Sequence, residues 1–263
     1  MNPNPLAVIP AVFEQFSAVV AAQSTRLGGV SAAPFDSLNL GKNTGDAPES
    51  VAENRRRLCE SLGFLPQQMA WAKQVHGCEV RRVEAPGGAD GFDALITDVP
   101  GILLGVSVAD CTPVLVYDRQ NKAVAAIHAG WRGTAAQIVA KTLRAMRDAY
   151  GTEGEHCWAY VGACISECSY EVGEEVAAAF DSPFKRFDAN RQRFFVDLKK
   201  ANAAQLADFG VPEGQIEISP HCTYLQNDLF FSHRKDGGAT GRGMGVIGRM
   251  WDSLSRRMSG RDE

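Results

Sequence analysis

Three short segments place reactive side chains at the ends of apolar runs: KQVHGC around His76, SVADCTPVLVY around Cys111 and AAIHAGWRGT around His128. A single histidine or cysteine of this kind is ordinarily a packed residue, and free cysteine behaves as a small hydrophobe. Two imidazoles and a thiolate together form the donor mix that binds zinc or copper. Three protein ligands leave a fourth tetrahedral position open, the arrangement of catalytic rather than structural zinc. The ligands stand 35 and 17 residues apart, too far for a compact finger, so tertiary structure must assemble them. Cys111 as nucleophile with His128 as its base is a second chemistry open to the same residues.

The segment after His128 has its own chemistry. Gly130 and Gly133 permit close backbone approach, and a helix is expected to begin nearby. Helix N-termini bind anions through free N–H groups, and Arg132 adds a permanent charge suited to phosphate. Near the carboxyl end, FFSHRKDGGATGRGMG gathers Arg234, Lys235 and Arg242 among glycines. It lacks the G-x-x-x-x-G-K-[ST] order of a P-loop and reads as either a solvated basic loop or an anion-binding lid.

Strand ends on a rigid scaffold are the natural place to present such side chains to one cleft. Apolar runs suited to strands lie at 93–97, 102–108, 114–117, 123–129, 194–196, 215–219 and 229–231. Helical spacing is expected from an Asp46 cap with Glu49 three residues on, through Val51, Arg55, Leu58 and Leu62 to Gly63. A second helix is expected over 134–150, a third opening at Asp197, and a short fourth over 173–180. Strands outnumber helices and crowd the middle of the chain, where connections are too short for helical crossovers. That predicts an α+β fold with mixed or antiparallel sheets.

Composition narrows the rest. At 45% hydrophobic and 22% charged the chain is globular, and no linker or repeat divides it, so one domain over 1–263 is expected. A net charge of −4 lacks the basic excess of a nucleic-acid binder. No apolar run approaches the roughly 20 residues of a membrane span. Residues 1–23 lack a basic n-region and carry Glu14, which argues against a secretory signal. Seven cysteines without a C-x-x-C pair fit reduced thiols in a cytoplasmic protein.

KQVHG, ADCTPVLVYD and AAIHAGWRGT, with STRLGGVS, SLNLG, NRRRL, SYEVG and the carboxyl-terminal FFSHRKD and TGR, resemble the YfiH-type family of polyphenol oxidase or laccase-domain proteins. The similarity runs from about residue 24 to 248, in matching order. The resemblance implies mixed sheets packed as a sandwich with flanking helices, similar to a toxin family with a Cys–His deamidase site. It places three metal ligands on His76, Cys111 and His128, which would also carry catalysis. It implies substrate or phosphate contacts at Asn39, Gln74, Arg132, Arg234 and Arg242.

The implied activity is zinc-dependent phosphorolysis of adenosine, inosine and methylthioadenosine, with deamination of adenosine. Nucleoside and phosphate are then the partners. Two departures from the family pattern stand out: Gly162-Ala163 where Gly-Pro is common, and Ser232-His233-Arg234-Lys235 where Ser-Tyr-Arg-Arg is common. An older family label is multicopper oxidase, but a blue copper plus a three-copper cluster needs about ten histidines by ligand counting. This chain has five. The His2Cys set would still hold one copper, since copper outcompetes zinc at such donors. A single-copper oxidase, a Cys–His amidase editing peptidoglycan and a non-enzymatic metal-stabilised binding protein remain the alternatives.

Overall fold

The computed structural model describes residues 6–251, so the two ends of the expected 1–263 domain lie outside the described residues. The chain opens with β1 (Ala7–Val8), β2 (Val19–Ser24), helix α1 (Pro48–Ser61), β3 (Met69–Lys73), β4 (Val80–Arg82) and β5 (Gly87–Asp90). The central run is β6 (Ala94–Thr97), β7 (Leu103–Val108), β8 (Thr112–Asp118), β9 (Ala123–Ala129), α2 (Trp131–Ala135), α3 (Ile138–Tyr150) and β10 (Cys157–Val161). Then follow β11 (Glu171–Val172), α4 (Glu174–Ala177), β12 (Lys185–Asp188), β13 (Arg193–Val196), α5 (Leu198–Asp208), β14 (Ile216–Ile218) and β15 (Gly243–Arg249).

Two six-stranded mixed sheets carry the fold, ordered β1-β2-β15-β7-β3-β5 and β14-β10-β8-β9-β6-β4, with a small β11-β13-β12 sheet beside them. They pack face to face because strand side chains alternate between two apolar environments. On β8, Leu115 and Tyr117 point between the sheets to meet Leu104 and Val106 of β7. Val114 and Val116 point the other way, onto Ile138 and Leu143 of α3 and Leu206 of α5. Helix α1 covers the opposite outer face, burying Leu58 and Cys59 against Met69, Leu103 and Val246. The result is the α+β sandwich with flanking helices that the strand count and the resemblance predict.

Local departures have physical causes. Asp46 does not cap α1; the N-cap is Ala47, with Pro48 at the first helical position. The Asp46 carboxylate instead accepts from Ser31 Oγ at 2.6 Å and Asn39 Nδ2 at 2.9 Å. The expected 134–150 helix starts earlier and breaks: α2 ends at Ala135 and Gln137 turns left-handed at φ +63° before α3. Gln205 of α5 holds this bend, donating to Thr134 O at 3.0 Å and accepting from Ala140 N. Asp197 does cap α5, accepting from Lys200 N at 3.0 Å. The expected strand at 229–231 is a turn: Phe230 and Phe231 are buried by packing without ladder pairing.

Candidate metal centre

Antiparallel pairing sets the first two candidate ligands, Cys111 and His128, together. In the β8–β9 register Thr112 faces Ala129 and Pro113 faces His128. Cys111, one residue before β8, therefore lies beside Gly130 and diagonal to His128. A Cβ at Gly130 would stand 3.1 Å from Cys111 Sγ and 3.3 Å from His76 Cδ2, so any larger residue there would press on two of the donors. His76 arrives from the other sheet, in the turn after β3, with a left-handed φ of +58°. One donor atom from each of His76, Cys111 and His128 lies within 4.8 Å of the others.

One buried carboxylate organises both histidines. Asp93, fully buried ahead of β6, sits with Oδ1 2.7 Å from His128 Nδ1. It also accepts the backbone N–H groups of Val75, His76 and Gly77, at 3.2, 3.0 and 2.8 Å. With the Nδ1–H of His128 donated to Asp93, Nε2 is left free to take a metal, the arrangement that an outer carboxylate gives metal-binding histidines. Asp110 plays a similar tethering part at φ +80°. Its oxygens accept from Thr223 Oγ1 at 2.6 Å and Arg234 N at 2.7 Å, tying the carboxyl-terminal loop to the strand that presents Cys111.

Electrostatics favour a thiolate. Burial alone would raise the Cys111 thiol, but the His128 charge and hydrogen bonds from both histidines outweigh it and bring it down to about 6. Burial opposes charge on His128 too, yet Cys111 and Asp93 together lift it to about 9. Two imidazole nitrogens and a ready thiolate fit a borderline-soft divalent metal such as zinc. Metal binding would displace the His128 proton, since a ligand imidazole must be neutral. In metal-free protein, alkylation of Cys111 by iodoacetamide is expected to follow a midpoint near pH 6. Loading zinc should slow it strongly at every pH, because coordination blunts the thiolate. Equal rates with and without metal would remove Cys111 from the ligand set.

The centre opens on a cleft of about 560 Å³. Gln74, Arg132, Arg234 and Arg242 line it, whereas Asn39 does not. Asn39 is fully buried, with its amide held by Thr44, Asp46 and the N–H groups of Gly41 and Arg242, so it shapes the wall and has no surface for a ligand. Gln74 pairs both ends of its amide with the backbone of Ser107, extending the β3–β7 pairing by one rung. Arg132 is exposed, its guanidinium 4.3 Å over the Trp131 ring. Arg234 donates to Glu171 O and lies over Tyr170.

Sequence reasoning missed Asp93, Lys42, Arg55, Trp71 and Tyr170, of which the last four line the cleft. Arg55 was the most hidden, because its position on the buried stripe of α1 makes it look like a spacer between Val51 and Leu58.

Residues 20–250 match the family model described as multi-copper polyphenol oxidoreductase laccase. The chain belongs to this laccase-domain family. A purine nucleoside phosphorylase of Deinococcus radiodurans is 42% identical over 233 residues, 88% of this chain and 89% of that protein. The purine nucleoside phosphorylase YfiH of Escherichia coli (strain K12) is 39% identical over 229 residues, 85% of this chain and 91% of its own. The crystal structure of YlmD from Geobacillus stearothermophilus superposes with a TM-score of 0.89 at 33% identity, covering 95% of this chain and 98% of that one.

The family's two departures in this chain can now be placed. Ala163 keeps an N–H that proline would lack, and donates it to Gln23 Oε1 at 2.6 Å while Gln23 Nε2 returns a bond to Ala163 O. Lys235 turns away from the cleft, its ammonium 4.8 Å over the Tyr224 ring. Neither touches the three donors.

Proposed function

We propose that this laccase-domain protein is a zinc-dependent purine nucleoside phosphorylase acting on adenosine, inosine and methylthioadenosine, with adenosine deaminase activity at the same centre. One observation carries the reading: the His76–Cys111–His128 donors open on a cationic cleft. Lys42, Arg55, Lys73, Arg132, Arg234 and Arg242 line it. Among the described residues Asp110 is its only carboxylate, and both Asp110 oxygens are already engaged. A cationic wall suits a phosphate dianion, and the rings of Trp71, Trp131 and Tyr170 offer apolar faces to a purine. The names of the relatives agree.

In phosphorolysis a phosphate oxygen bonds to C1′ as the C1′–N9 bond breaks, leaving ribose 1-phosphate (or its methylthio form) and a free base. In deamination water replaces the amine at purine C6 and releases ammonia. When bound, zinc supplies Lewis-acid polarisation at its open position. The chain's own residues seat the anion, hold the purine against aromatic faces and keep His128 oriented through Asp93.

A second reading, Cys–His amidase chemistry, is supported by the relay from Cys111 through His128 to Asp93, which has the order of a nucleophile, base and orienting acid. A trapped substrate adduct on Cys111 would move the assignment there.

The deciding experiment incubates zinc-loaded protein with adenosine, with and without phosphate. Ribose 1-phosphate and adenine should form only with phosphate, and inosine under both conditions. Zinc-replete protein yielding neither would end the nucleoside reading. Arg132→Gln is expected to raise the phosphate KM no more than about 5-fold, because an exposed charge contact is worth about 0.2–1 kcal/mol. Steady-state rates at varied phosphate measure it.

A further inference from the structure

Helix α1 brings a charge into the cleft wall for which none of the described residues provides a counterion. Arg55 is only 8% exposed. Its Nε donates to Leu40 O at 2.8 Å, and among the described residues no carboxylate pairs with its guanidinium. The guanidinium stands 5.5 Å from the Trp71 ring centre, and the Lys42 ammonium lies 4.0 Å from the same ring. Lys42 likewise has no ion pair there. Two cations thus share one indole: burial lowers Arg55 to about 10, and burial together with the Arg55 charge lowers Lys42. Burying an unpaired ion costs several kcal/mol, so folds keep one where a ligand completes it.

The surrounding loop is built to hold this arrangement. Asn54, the neighbour of Arg55, is fully buried and donates to Ser31 Oγ, Ser37 O and Asn39 O, pinning the 31–39 loop to α1. Asn39 then accepts from Gly41 N and Arg242 N, which sets Lys42 beside Arg242. A Cβ on Gly41 would stand 2.8 Å from Arg242 Cγ, so the loop rests directly on the Arg242 stem. All three cations line the cleft that also contains His76 and Cys111.

We propose that the lobe formed by Arg55, Lys42 and Arg242 against Trp71 is the seat of a phosphate dianion, and that the free ion is the co-substrate. The assignment deepens the phosphorolysis reading and rests on it for the ion's role, while the seat itself stands on the uncompensated charge. Arg55 and Lys42 provide the charge, Trp71 the rigid floor, and Asn39 and Asn54 the fixed geometry. Arg132 and Arg234, both exposed and on the Trp131–Tyr170 side, are then free to serve the nucleoside.

Zinc-loaded full-length protein is titrated with inorganic phosphate by calorimetry, and phosphate KM is measured at saturating adenosine. Arg55→Lys keeps the charge but loses the fork, and Lys42→Gln changes only an exposed side chain, so at least one variant folds. Arg55→Lys is expected to weaken phosphate binding about 10- to 150-fold, as loss of charge-assisted hydrogen bonds does, and Lys42→Gln, at an exposed position, about 2- to 5-fold. Phosphate KM should rise in step while adenosine KM does not.

Unchanged calorimetric affinity in both variants would overturn the seat, whatever the activity. Wild-type protein that binds phosphate through these residues but makes no ribose 1-phosphate would overturn phosphorolysis and leave the seat supported. A nucleoside 5′-monophosphate is titrated in parallel. If it takes the seat and excludes adenosine while inorganic phosphate does not bind, the group belongs to a nucleotide and the co-substrate assignment is overturned.

Discussion

Cys111→Ser is expected to leave the protein folded, free of zinc and without phosphorolysis. A serine hydroxyl does not ionise near neutral pH and is a poor ligand for a borderline-soft metal, so two histidines would remain where three donors converge. Removing an outer partner of a metal ligand costs about 10- to 100-fold in affinity, and removing the ligand itself is expected to cost more. Elemental analysis should fall from near one zinc per chain to a small fraction of it. The fold should survive, because Cys111 lies at a strand end and is only half-buried, and oxygen is smaller than sulfur. Thermal unfolding in the presence of a chelator, where wild type is also metal-free, gives the comparison. Full zinc occupancy in the serine variant would show that the metal is held elsewhere and would leave Cys111 to the amidase reading.

Cys111 and His128 were legible in the sequence because each adjoins or lies within an apolar run expected to be a strand, whereas the strand before His76, Met69–Lys73, was not among those expected. A strand end on a sandwich has few places to go except a shared rim. The helix after His128 was visible from its period, but its break was not. The groups freed at the bend are satisfied by Gln205, 68 residues downstream of Gln137, and no local pattern reports a partner that distant. The run at 229–231 failed for a related reason: a short apolar segment is buried equally well by a turn packed on a sheet as by a strand within one.

Asn39 and Arg55 show how residue type misleads in opposite directions. Asn39 is among the ligand contacts that the resemblance implies, yet every hydrogen-bonding group on its amide is used by the protein. Arg55 looks like a helix filler because its neighbours define an apolar stripe, yet it is a buried charge with no carboxylate partner among the described residues. Sequence reports what a side chain could bond, and only the fold reports what is left unbonded.

Asp93 makes the same point most sharply, and its removal is the second large effect expected. At the head of a strand-like run it carries no signal, but four donors converge on its carboxylate: His128 Nδ1 and the N–H groups of Val75, His76 and Gly77. Asp93→Ala would strand them: the buried His128 Nδ1 left unpaired costs about 1–3 kcal/mol, and the part-buried N–H groups of the 75–77 turn cost less each. The His76 turn, held at φ +58°, would lose the contacts that maintain a conformation itself costing about 1–3 kcal/mol. A large drop in unfolding temperature is therefore expected.

Asp93→Asn separates charge from space. Its carbonyl can keep one set of donors, but its NH2 must then face another donor, or force His128 to the tautomer with Nε2 protonated. In either case the ligand nitrogen is compromised, and zinc affinity, measured by competition with a chromophoric chelator, is expected to fall about 10- to 100-fold. The metal-free protein gives an independent reading. Asp93 helps raise His128, and the His128 charge helps lower Cys111. Without the carboxylate, His128 loses its proton at lower pH, the imidazolium beside the thiol fades, and the Cys111 alkylation midpoint should move upward from about 6. An Asp93→Asn protein that binds zinc within about threefold of wild type and keeps the same midpoint would show that the backbone alone positions the two histidines.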